Sequence, residues 1–267
     1  MKKRNLIINQ HFLKKEMDEI INKLKKLEKK HTIEYIGNNL NEFLETEEID
    51  KILKKYVKKG ESRKIRASLD KLRGDLFEEI TKFLINEHFK EDKSYNHIKA
   101  EYLNDLPSHI RNLVEKIRLH RERVVPTKTP DIDLIVYSEK YNDRIIILSI
   151  KGTARERIGQ FLSNIFIFDK KAIRAKYGNE LYFFDKDLPK YKMIFICFEM
   201  AKQKDFSFKT ERELEKRIKS SVKQIEVFLI DDDQNVGYGL FVMNNLPKLQ
   251  KVGNFSELIA RLKKFFP

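Results

Sequence analysis

The feature that most constrains this chain is a change of periodicity near residue 125. Before it, apolar residues recur at helical spacing. After it, they come in short runs separated by turn residues. In the first part, Phe12, Met17, Ile20, Ile21, Leu24 and Leu27 fall on one face of a helix over residues 12–30. Residues 33–44 and 49–57 read as two shorter helices, with Lys58-Lys59-Gly60 as a stop. Residues 61–89 read as a long helix with Ile65, Leu69, Leu72, Leu76, Ile80 and Phe83 on one stripe. Pro107-Ser108 opens another helix, running to about Arg123.

Pro126 and Pro130 then punctuate the chain. Residues 132–137 and 144–151 read as strands joined by a turn at Tyr141-Asn142-Asp143, an antiparallel hairpin. Residues 155–176, 211–223 and 256–265 read as helices, and 192–198, 225–230 and 238–243 as strands. The 192–198 run is apolar enough to sit inside a sheet. This order predicts an α/β fold, a central mixed sheet flanked by helices, with a helical N-terminal region. The expected division is a helical subdomain over 1–60 and a core over 61–267.

Composition narrows the function classes. Hydrophobic residues make up 41% of the 267 residues, enough for a real core. The net charge of +14 favours a polyanionic partner, because each phosphate neutralised releases counterions. Cys197 is the only cysteine, so neither an intrachain disulfide nor a cysteine zinc site is expected. It lies in an apolar run and reads as a core residue. No apolar stretch is long enough to span a bilayer, and Met1-Lys2-Lys3-Arg4 leads into no signal-peptide segment. The expected location is the cytoplasm.

Chemistry gathers at the hairpin. Asp131, in Thr129-Pro130-Asp131-Ile132-Asp133, enters the first strand, and Lys151 ends the second. In an antiparallel hairpin those two ends meet at one rim of the sheet. Asp133 shares a strand face with Asp131 and is a candidate second ligand or a hydrogen-bonding partner. An acidic pair, Glu78-Glu79, lies in the preceding helix. A hard carboxylate such as Asp131 suits Mg²⁺ held among waters. The metal acidifies its bound water, and a lysine beside it stabilises charge on a phosphorane-like transition state.

Between the two glutamates, periodicity favours Glu79, which lines up with Leu72, Leu76 and Phe83 at the edge of the apolar stripe. A Gly-x3-Glu spacing from Gly74 favours Glu78 instead. Asp231-Asp232-Asp233 reads as a turn, and His88, His97, His109 and His120 as structural or surface residues, none at metal-ligand spacing.

Pro130-Asp131 followed by Ser149-Ile150-Lys151 resembles the PD-(D/E)xK nuclease motif, with Ser149 where most of that superfamily has an acid. The same departure is familiar in restriction enzymes whose sites contain CCGG or a related sequence. Lys151-Gly152-Thr153-Ala154-Arg155-Glu156-Arg157 is similar to the base-reading segment of that group. Arginine binds guanine O6 and N7 bidentately, and glutamate accepts from the cytosine amino group. The resemblance implies a Mg²⁺-dependent type II restriction endonuclease that cleaves double-stranded DNA as a homodimer or higher oligomer. It implies Asp131, Lys151 and Glu79 or Glu78 as catalytic residues, with the Ile150 carbonyl as a further metal ligand. Arg155, Glu156, Arg157, Gln160 and Asn164 would contact DNA. The missing acid falls on Asn164, Asp169 or Glu79. Two rivals stand beside this reading: a junction or repair nuclease with the same core, and a DNA-binding module whose nuclease core is dead.

Overall fold

The computed structural model describes residues 10–44, 62–117, 119–121, 124–128, 130–151, 176–177, 180–183, 189–198, 238–242 and 254–267. The expected helices at 49–57 and 211–223 and the expected strand at 225–230 lie outside these, as does the expected helix at 155–176 except for Lys176, which is in a strand.

Helices α1 (Gln10–Glu28), α2 (Ile33–Asn38) and α3 (Leu40–Phe43) come first. Thr32 caps α2 by accepting the Tyr35 N–H at 3.2 Å. Helix α4 (Ser62–Glu91) follows, then strand β1 (Ile98–Glu101), a 3₁₀ turn at Leu103–Asp105 and helix α5 (Ser108–Lys116). Strands β2 (Leu119–Arg121), β3 (Val124–Lys128), β4 (Leu134–Ser138), β5 (Arg144–Lys151), β6 (Lys176–Tyr177), β7 (Glu180–Phe183), β8 (Lys190–Cys197) and β9 (Tyr238–Val242) precede the closing helix α6 (Phe255–Phe265).

The main sheet has five strands in the order β1-β4-β5-β8-β9. β1, β4 and β5 are antiparallel to their neighbours on that side, and β5, β8 and β9 run parallel. The sheet is therefore mixed, as expected from the pattern. β4 and β5 form the predicted hairpin, with Leu134 opposite Leu148. Every residue of β4 is buried, as is the interior of β5.

Strand period two divides β5 between two layers. Ile146, Leu148 and Ile150 join one hydrophobic core with Leu134, Val136, Ile194 and Ile196. That core continues into Leu76, Ile80 and Leu84 of α4, Ile36 of α2, Leu24 of α1 and Leu258 of α6. The N-terminal helices thus share a core with the sheet. On the opposite face, Ile145, Ile147, Tyr191, Met193 and Phe195 are also buried.

Two expectations are corrected. The helix opened by Pro107-Ser108 ends at Lys116 instead of running to Arg123. Leu119–Arg121 and Val124–Lys128 are strands of a second sheet, ordered β3-β2-β7-β6. The β-branched pair Val124-Val125 and the proline after it disfavour a helix there. Strand β1 was also unforeseen. Its buried Ile98 and Ala100 alternate with half-buried Lys99 and Glu101 over only four residues. As an edge strand it needs cover. The Asn86 side chain of α4 supplies it, donating to the Ala100 carbonyl at 3.0 Å and accepting the Ala100 N–H at 2.8 Å.

Candidate active site

The site lies where β4 begins and β5 ends. Backbone pairing runs one step past β4, because the Asp133 N–H donates to the Leu148 carbonyl at 3.0 Å. Asp133 is thereby fixed opposite Ser149, and the two aspartates reach the end of β5.

Lys151 Nζ is 2.8 Å from Asp133 Oδ2 and 3.1 Å from Asp131 Oδ2. Ser149 Oγ donates to Asp131 Oδ2 at 3.2 Å, and the Ile150 N–H donates to Asp133 Oδ2 at 2.5 Å. One ammonium therefore bridges two carboxylates, and each carboxylate is held by a second donor from β5. Asp133 is the more enclosed of the two, its side chain 13% exposed against 29% for Asp131.

Helix α4 brings a third acid. Phe77 stacks on Phe198, ring centroids 4.2 Å apart, and the Phe198 N–H donates to the Lys151 carbonyl at 3.1 Å. The residue after Phe77 is Glu78, so this stack locks Glu78 beside the end of β5. Burial, and then the charges of Asp133 and Asp75, push the Glu78 carboxyl up to about 8. Burial also raises Asp133, although Lys151 and the Ile150 N–H oppose it. For Lys151, burial works against the charge, but Asp133 and Asp131 outweigh it and the amine is raised. The result is a half-buried lysine held cationic among acids.

Glu79 is placed differently. Its carboxylate accepts a hydrogen bond from the Tyr102 hydroxyl, just past β1. Periodicity points to Glu79 because the stripe of Leu76, Ile80 and Phe83 marks only part of the apolar face. In the fold Phe77, Thr81, Leu84 and Ile85 are buried as well. This wider face puts Glu78 and Glu79 on its two opposite edges, and Glu78 is the one whose edge borders Lys151.

Burial pushes the Tyr102 hydroxyl well above its usual range, and Glu79 adds to this. Nothing in the sequence signals Tyr102; it is brought to α4 by the unforeseen strand β1. Ile150 contributes its N–H to Asp133, and its side chain is buried in the core. Arg155, Glu156, Arg157, Gln160, Asn164 and Asp169 lie outside the described residues.

The donor set fits a hard divalent cation. Mg²⁺ is commonly held by one or two carboxylates with water completing its shell. Among the described residues, every bond to the aspartates falls on Oδ2, which leaves Oδ1 of each as a hard oxygen donor. Among the described residues, two aspartates share the Lys151 ammonium, which leaves one negative charge for a cation to offset, and Glu78 adds a second when it ionises. Among the described residues, no group of three or more His, Cys, Asp and Glu side chains is gathered closely enough to hold a metal by itself. No helix among them is long and apolar enough to cross a membrane.

No protein-family model matches the chain, and no curated protein matches it significantly.

Proposed function

We propose that this chain is a Mg²⁺-dependent nuclease with a PD-(D/E)xK-like core, acting as a type II restriction endonuclease on double-stranded DNA. The observation that carries the reading is the Lys151 ammonium bridging Asp131 and Asp133 at one rim of a mixed sheet. The net charge of +14 supports a polyanionic substrate.

In this reading Asp131 and Asp133 would hold the metal, with the Ile150 carbonyl as a further ligand. Bound Mg²⁺ would polarise a phosphate oxygen and make water a better nucleophile. Lys151 would orient the attacking water and stabilise charge on the phosphorane-like transition state. Ser149 holds Asp131, and the Ile150 N–H holds Asp133, so both carboxylates are preorganised. Glu78 takes the place of the acid that Ser149 lacks. Arg155, Glu156 and Arg157 read base edges at a palindromic site containing CCGG, with Gln160 and Asn164 adding DNA contacts. A palindrome calls for two copies of the reader, hence a homodimer or higher oligomer. The protein acts in the cytoplasm.

Incubation of a large mixed-sequence DNA with Mg²⁺ and with EDTA tests the proposal. Discrete fragments that need Mg²⁺ and Lys151 are expected, and their ends give the site. A smear would favour a nuclease guided by DNA shape. Intact DNA with both wild type and Lys151→Ala would overturn the enzyme reading and leave a DNA-binding module.

A further inference from the structure

We propose that the turn at Leu103–Asp105 is a groove-contacting element that packs on base and sugar edges of the DNA beside the cleavage site. This rests on the nuclease reading above and adds a substrate contact to it.

Three observations lead there. The first is position. β1 pairs with β4 so that Glu101 lies opposite Ile135. The chain two residues beyond Glu101 therefore emerges at the same end of the sheet as Asp133.

The second is exposure. Leu103 and Tyr35 are the two large hydrophobic side chains exposed among the described residues, Leu103 at 38%. A lone exposed leucine is ordinary on a protein surface. An exposed leucine at the rim of a polar site is less so.

The third is rigidity. On one side, Tyr102 donates to Glu79, and Lys82 sits 4.9 Å from the Tyr102 ring centroid. Lys82 also pairs with Glu101 at 2.6 Å. On the other side, Arg111 Nη2 donates to the Asn104 carbonyl at 2.9 Å and the Leu106 carbonyl at 3.3 Å. Leu106 itself is buried. The Asp105 N–H closes the turn on the Tyr102 carbonyl at 3.0 Å. Both ends are anchored while Leu103, Asn104 and Asp105 stay exposed. Little ordering entropy remains to be lost when this turn meets a partner.

The chemistry of the turn selects the kind of contact. Residues 103–105 themselves present an apolar side chain, an amide and a carboxylate, and the adjacent Arg111 guanidinium is turned onto the carbonyls of the turn. Such a set does not fit a phosphate backbone. It fits a groove, where leucine packs on sugars or a thymine methyl and the Asn104 amide bonds to base edges.

Leu103→Ala and Asn104→Ala test this, measured as kcat/KM for duplex cleavage and as duplex binding in EDTA over a salt series. Both residues are exposed, so neither change disturbs the core. Each variant is expected to lose about tenfold in kcat/KM, in line with partial burial of one leucine or loss of one amide contact. The slope of log affinity against log salt should stay that of wild type, because no phosphate contact is removed. Wild-type cleavage rates in both variants would overturn the contact. A shallower salt slope would overturn the groove assignment. A wild-type protein that neither binds nor cleaves duplex DNA would overturn the nuclease reading itself.

Discussion

Burial and the acids around it hold the Glu78 carboxyl up at about 8, and this sets a stability cost that can be measured. In the unfolded chain Glu78 ionises near its ordinary value of 4.5. Its contribution to stability is therefore fully present below pH 4.5 and is lost as pH rises through about 8. Glu78→Gln removes that loss. Without metal, the variant should melt roughly 5 °C above wild type at pH 8 and near wild type at pH 4.5. If the proposed function holds, the same variant should cleave DNA poorly while being the more stable protein at pH 8. Histidine gives the opposite sign. His97 is buried with Nδ1 2.8 Å from Ser138 Oγ. Burial, then Lys140, lowers its pKa below 6.5. Stability from neutral His97 is present above pH 6.5 and lost as pH falls through the lowered value. Thermal melts of His97→Gln should fall less between pH 7 and pH 5 than those of wild type. A parallel fall would show that His97 titrates alike in the folded and unfolded states, and would contradict the lowered pKa.

At the scale of elements, the docking of α2 on α6 depends on one glycine. A Cβ on Gly37 would meet Phe255 ring carbons at 2.4 and 2.5 Å, and Phe255 is fully buried. The approach is tied down by Asn38, whose Oδ1 accepts the Phe255 N–H at 2.9 Å and whose Nδ2 donates to Ser256 Oγ at 2.8 Å. Gly37→Ala should destabilise by roughly 1–3 kcal/mol, seen as a lower denaturant midpoint with unchanged slope. Much of this level was legible in the sequence. The hairpin from residue 134 to 151 was set by its β-branched runs and the turn between them. The long helix α4 was set by its stripe, yet its full buried face was not legible. Helical periodicity marks the centre of one packing surface, whereas α4 packs on both the sheet and the N-terminal helices. That is why periodicity chose Glu79 and the fold brings Glu78 to Lys151. Asp133 was legible as a neighbour of Asp131. Its deeper burial came only from the extra backbone bond to Leu148.

For the whole molecule, the net charge of +14 predicts that duplex binding weakens steeply with salt. The slope of log affinity on log salt should be on the order of −5 in EDTA, since each phosphate contact adds nearly one. A flat dependence would remove the electrostatic argument for a nucleic-acid partner. The second sheet, β3-β2-β7-β6, was not legible because its strands are two to five residues long and pair across distant segments. The proposed activity requires that Asp131, Asp133 and Lys151 form a hydrolytic centre. The most direct measurement is single-turnover cleavage of supercoiled plasmid in Mg²⁺ by wild type, Asp131→Asn and Asp133→Asn, with folding checked by circular dichroism. Nicking and linearisation by wild type are expected, abolished by EDTA and reduced at least a hundredfold in each folded variant. Cleavage by both variants at the wild-type rate would contradict this.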